Sequence, residues 1–195
     1  MGLRAAPEPT TTRDKLIQAA VEVVAREGIE KASVKAIAAA AGITPGLVHY
    51  HFPNKEAGLE AALADASEAF AAALREIRLS VPPGQMVRTY FERGKAAVGS
   101  DKDLFKVRLA FAARALPDPA LAERFVSTHA AGIDEMAVLF AADRGESEAT
   151  PADVTRAKVV KACYDGLMLG LLTDPAFPMD AAADAFRALL PLAAD

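Results

Sequence analysis

A-S-V-K-A-I-A-A-A-A-G-I-T-P-G-L-V-H-Y-H-F-P-N-K, residues 32–55, holds two short helical patterns joined by a tight turn. Ser33 stands where a cap accepts a hydrogen bond from a free backbone N–H of the first helix. Val34, Ile37 and Ala38 recur at i, i+3, i+4 spacing and give that helix one apolar face. Gly42 follows, a residue that tolerates the left-handed backbone of a helix end. Thr44 is placed to cap the second helix, with Pro45 at its first position, where a missing N–H costs nothing. Leu47, Val48 and Phe52 are expected to anchor this second helix, leaving His49, Tyr50 and their neighbours to face a partner. Such an arrangement, taken as residues 33–52, is a helix-turn-helix, whose second helix enters the major groove of DNA.

The runs S-V-K-A-I-A, A-A-G-I-T-P-G-L and H-Y-H-F-P-N-K-E stand in one order and spacing, preceded by the helix L-I-Q-A-A-V-E-V-V-A-R-E-G. Together they resemble the DNA-binding segment of the TetR family of bacterial transcriptional regulators, over roughly the first third of the chain. The resemblance implies an all-α fold, with a three-helix headpiece joined by a long helix to a helical domain for ligand binding and dimerisation. Residues 1–11 then form a flexible arm, 12–58 the DNA-binding domain and 59–195 the remainder. It also implies that Thr44 and Lys55 touch the DNA backbone. Here the chain departs from the family pattern, which has Tyr where this sequence has His49. The phosphate contact of that Tyr is therefore made by His49, or by Tyr50, or is absent.

Composition agrees with a helical reading. The 195 residues are 52% hydrophobic and rich in Ala, and helix formers outnumber β-branched runs. No apolar stretch reaches the ~20 residues that span a bilayer, so no membrane partner is expected. The N-terminus has no apolar signal core. One cysteine, Cys163, excludes an intramolecular disulfide and suits a reducing cytoplasm. The net charge of −4 is unevenly spread: residues 1–55 hold seven Lys/Arg against five Asp/Glu, and the rest fifteen against twenty-one. A basic end on an acidic body orients a molecule towards phosphate, though this excess is small.

Periodicity places helices at about 12–28, from Asn54 as cap to Arg78, then 85–98, 102–115, 119–142, 152–173 and 180–193, with 143–151 as a polar loop. The first helix turns Leu16, Ala19, Ala20, Val23 and Val24 inward. In the last two helices, Val159, Val160, Cys163, Leu167, Leu171 and Leu172 line one side of the first, and Phe186, Leu189, Leu190 and Ala193 line the second. Gly166 and Gly170, four apart, would let another helix approach. Such faces suit a four-helix contact between two copies. The run Y-D-G-L-M-L-G-L-L-T-D-P also resembles the penultimate helix of many TetR-type regulators, where that dimer forms.

Candidate chemistry depends on placement. Ser33, Lys35 and Lys55 surround the second motif helix, where hydroxyl, ammonium and backbone N–H groups can meet phosphate. Pro45, Gly46, His49 and Tyr50 are candidates for the groove. That helix has no Arg, Asn or Gln, so few bidentate base contacts are expected, and specificity falls to apolar contacts, water and DNA shape. His49 and His51, two apart, point to nearly opposite sides and cannot chelate one ion, so no metal is expected. For a small-molecule effector, Met86, Phe91, Phe105, Leu109, Phe111, Met136 and Met168 offer apolar wall, and Arg108, His129 and Tyr164 polar groups. Such a wall suits a hydrophobic or amphipathic molecule. A His between Phe125 and Ile133, however, is more often a satisfied core residue. No nucleophile elbow, phosphate loop, metal spacing or carboxylate pair is present, so neither enzyme activity nor a cofactor is expected. The reading is a dimeric regulator of transcription, and the resemblance favours a repressor on an inverted-repeat operator.

Overall fold

Thr11 rather than Thr12 starts the first helix. In the computed structural model, which describes residues 11–97 and 102–189, its hydroxyl accepts from the Asp14 amide at 3.1 Å and the Asp14 carboxylate accepts from the Thr11 amide at 3.0 Å. This reciprocal box fixes α1, Thr12–Glu27, and all five residues expected to face inward are buried. Ser33 caps α2, Val34–Ala41, accepting from the Ala36 amide at 3.1 Å. Gly42 then turns left-handed, with φ 69° and ψ 31°. Its amide donates to Ala39, and that of Ile43 reaches back to Ala38, the double closure of a helix end that a side chain at this φ would strain.

α3, Pro45–His51, has seven residues. So short a helix does not hold itself in water. Val48 and Phe52 bind it to the core at 3% and 8% exposure, each contributing roughly 1.5–3 kcal/mol. Leu47 corrects the sequence reading. It is 38% exposed and is no anchor, because it lies to one side of the line that Val48 and Phe52 define. α4, Lys55–Ser80, follows with Asn54 accepting from the Ala57 amide at 2.8 Å. Its 26 residues make a rod about 39 Å long.

Beyond α4 come α5 (Met86–Ala97), α6 (Lys102–Ala115), α7 (Pro119–Ser127), α8 (Ala130–Asp143), α9 (Pro151–Thr173) and α10 (Met179–Ala188). The single helix expected over 119–142 is two. Thr128 gives its hydroxyl hydrogen to the Phe125 carbonyl at 2.7 Å, and His129 Nδ1 lies 2.9 Å from the same oxygen. Side chains that take a backbone carbonyl locally compete with the helical ladder, and the chain turns between α7 and α8.

The chain forms two compact units, one of residues 11–67 and 103–130, the other of 68–97, 102 and 131–189. The first contains the three headpiece helices, the start of α4, and α6 with α7. Val107, Phe111, Ala115 and Leu121 share one core with Leu16, Val23, Ile37 and Val48. Arg114 bonds Glu30 at 2.8 Å and lies 3.4 Å from Glu56, while Arg124 lies 3.4 Å from Glu60. In the second unit, Leu74, Ile77, Met86, Tyr90, Leu139, Phe140 and Val160 are buried together. Glu135 there receives Arg78 at 3.0 Å and Arg75 at 3.6 Å. Asp143 accepts from the Met86 amide at 2.7 Å and so caps α5 from the end of α8.

The loop into α9 is closed by Asp153, which is nearly buried. Arg144 grips its carboxylate from both oxygens, at 2.7 and 3.0 Å, and the Thr150 amide and hydroxyl donate at 2.9 and 2.8 Å. The guanidinium above all, with help from Thr150, holds the Asp153 carboxyl well below its usual range, against the opposing effect of burial. A carboxyl depressed in the folded state stabilises fully above its unfolded value near pH 4 and loses that contribution as the pH falls. Asp153→Asn should therefore cost about 2–3 kcal/mol at neutral pH and flatten the acid limb of stability against pH. Urea unfolding between pH 3 and 7 measures both, and an acid limb unaltered by the substitution would contradict the assignment.

Candidate nucleic-acid interface

Val48 and Phe52 face inward, so the rest of α3 is disposed around the opposite side. Pro45, Gly46, His49 and Tyr50 are all exposed, Tyr50 by 82%, and His51 is half-buried. Nothing stands within 4 Å of where a Cβ on Gly46 would project. Thr44 takes the cap position, but its hydroxyl makes no capping bond and is left at the surface. The Tyr50 ring meets His51 edge-on at 5.2 Å, which orients it without burying it.

Ser33 and Lys35 lie at the start of α2 and are exposed. The Ser33 hydroxyl is already occupied as an acceptor by its own helix, leaving its hydrogen for an outside oxygen. Lys55 is half-buried, and its Nζ donates to the Ile29 carbonyl at 2.7 Å. This bond ties the start of α4 to the connection between α1 and α2. The sequence reading missed this structural duty, because nothing in residue spacing places Ile29 beside Lys55. Lys55→Ala should lower stability by about 1–2 kcal/mol, measured by urea unfolding without DNA. An unchanged midpoint would mean that the Ile29 contact carries no weight.

The seven residues expected to touch an effector fall into both compact units. Phe105, Arg108, Phe111 and His129 belong to the unit that contains α3. Phe111 is fully buried in the core of that unit and stacks on Phe125 at 5.7 Å. Arg108 lies 4.5 Å over the Phe105 ring. His129 packs edge-on against Phe125 at 4.8 Å with Nδ1 3.0 Å from Thr128 Oγ1. Met86, Tyr164 and Met168 belong to the other unit, where Met86 and Met168 are buried and Tyr164 half-buried. An aromatic run in this unit escaped the sequence reading: Phe70 meets Tyr90 at 6.1 Å, Tyr90 meets Phe91 at 5.0 Å and Phe91 meets Phe186 at 5.7 Å. Burial, with Tyr164 nearby, pushes the Tyr90 hydroxyl above its ordinary value, so it stays protonated. Only the adjacent Tyr90–Phe91 pair hinted at this in the sequence.

The expected dimer residues are also divided. Phe186 packs within its own unit, and a Cβ on Gly170 would come 2.6 Å from Phe177 of the same chain. Gly170 thus admits this chain's own ring. Cys163, Leu167 and Leu171 are half-buried, and Leu189 is 81% exposed. The outermost line of α9 is instead Val159, Ala162, Gly166, Leu169 and Thr173, spaced three and four apart, with Val159 and Leu169 exposed. Leu190 and residues 1–10 of the arm lie outside the described residues. Among the described residues no helix is long and apolar enough to cross a membrane.

Comparisons with known proteins meet this geometry at both ends of the chain. Residues 16–62 match the model of bacterial regulatory proteins of the tetR family, and residues 83–193 match the C-terminal domain of BetI-type transcriptional repressors. The regulator BetI of Pseudomonas aeruginosa (strain LESB58) is 30% identical over 175 residues, covering 87% of this chain and 86% of that protein. SrpR of Pseudomonas putida is 41% identical over 64 residues, or 33% of this chain, and the match spans only 30% of SrpR itself. Among solved structures, FadR of Bacillus subtilis in complex with stearoyl-CoA superposes with a TM-score of 0.74 at 18% identity, over 90% of this chain and 95% of that one. At that identity the likeness is one of fold. Transcriptional regulators of this kind are not enzymes. Two family models covering the headpiece and most of the remaining chain, with a relative alike over nearly its whole length, place the chain in the TetR family of bacterial transcriptional regulators.

Proposed function

We propose that this protein is a ligand-responsive repressor that binds an inverted-repeat DNA operator as a homodimer. The observation that carries the reading is the outward face of α3. A seven-residue helix is pinned by two buried side chains, and Pro45, Gly46, Leu47, His49 and Tyr50 are left exposed beside the surface hydroxyl of Thr44. Ser33 and Lys35 supply a hydroxyl and an ammonium for phosphate from the start of α2. Lys55 adds further protons on a nitrogen already positioned by Ile29. Such a protein works where bacterial DNA is, in the cytoplasm.

Selection from random duplexes at two salt concentrations tests the DNA reading. An enriched inverted repeat with half-sites about one helical turn apart, ~34–36 Å, supports it. Weak binding that vanishes with salt and enriches nothing would defeat it. Lys35→Ala should weaken binding to all sequences alike and lower the slope of log affinity against log salt by about one. Full retention of that slope would remove Lys35 from the phosphate contacts.

The homodimer would form through α9 and α10. The line from Val159 to Thr173 has the seam spacing of helix pairs, Gly166 leaves room on it, and Leu189 extends the apolar surface onto α10, which packs beside α9. Leu169→Glu should give monomers in sedimentation with an unchanged helical spectrum. A dimer that survives it would place the interface elsewhere.

The effector would enter the unit that holds Met86, Tyr164 and Met168, with these three residues contributing. The apolar and aromatic character of these residues favours a hydrophobic or amphipathic molecule. It would release DNA only by binding the two states unequally. α4 runs unbroken through both compact units and is the element by which such a difference could pass between them.

A further inference from the structure

We infer that Leu47 reads sequence, its side chain taking the C5-methyl group of a thymine in the major groove. The inference rests on the DNA-binding reading above and adds to it the identity of one base. Residues 45–51 hold no Arg, Lys, Asn or Gln, so the side chains that make bidentate base contacts are missing from α3. The helix turns about 100° per residue. With Val48 buried, Gly46 and Tyr50 lie across the axis from the core, and Leu47 and His49 flank them. Leu47 is the largest exposed aliphatic side chain of α3, 38% exposed beside a glycine with empty space before it. Without a side chain at position 46, the helix can approach the base edges more closely, and the Leu47 methyl groups come with it.

A single exposed leucine is ordinary on a protein surface. Here its position decides the matter. It stands on the helix that a helix-turn-helix presents to the groove, where an unbalanced apolar side chain finds one apolar partner, the thymine methyl. Exposure also means that its removal leaves the headpiece core intact, since Val48 and Phe52 carry the packing of α3.

The test replaces each thymine of the selected operator by deoxyuridine, which removes the methyl group and keeps the pairing. Affinities are measured for the full-length protein and for Leu47→Ala, with thermal unfolding as a control for folding. One thymine in each half-site should show about a fourfold loss on replacement, the factor for returning one methyl group to water. That loss should disappear in Leu47→Ala and persist in Tyr50→Phe. An operator bound specifically with no such position overturns this inference alone, as does a methyl dependence that Leu47→Ala retains. Failure to select any operator overturns the regulator reading and this inference with it.

Discussion

The burial of Val48 and Phe52 is the constraint on which the rest depends. α3 is too short to persist by its own hydrogen bonds, so its existence and its aim are set by these two side chains. They belong to one buried core with Leu16, Val23 and Ile37 from α1 and α2, and Val107, Phe111 and Leu121 from α6 and α7. A helix whose position is fixed from one side offers the other side as a surface of defined shape. The left-handed Gly42 and the proline at the start of α3 set the angle at which that surface leaves the turn.

The participation of α6 and α7 changes how the protein is understood. The sequence divides naturally after the headpiece, yet the compact unit containing α3 also takes in residues 103–130. Phe111 illustrates the difference. Its sequence offers it as apolar wall for an effector, and in the structure it is fully buried in a core with headpiece residues. Helical spacing reports that a face is apolar, but not which element covers it. A change in the position of α6 or α7 would disturb the core that α3 shares with α1 and α2, and the ion pairs of Arg114 and Arg124 with Glu30, Glu56 and Glu60.

Much of the local structure was legible. Ser33, Gly42, Pro45 and Asn54 each occupy the cap or turn position their chemistry indicates, and the five inward residues of α1 are buried. Three kinds of fact were not. The turn at Thr128 and His129 depends on side chains that take a nearby carbonyl, a competition that apolar periodicity does not register. The Lys55 bond to Ile29 is a tertiary contact between residues 26 apart. The exposure of Leu47 depends on where the core ends around a short helix, and hydrophobicity alone had assigned it inward. Gly170 belongs with these, since the ring it accommodates comes from Phe177 after the same helix.

Amide hydrogen exchange of the full-length protein, with and without its selected duplex, tests the central claim most directly. Exchange should slow in α2, α3 and the first turn of α4, centred on residues 33–55. Protection confined to other helices, with α3 exchanging as fast as in the free protein, would contradict it.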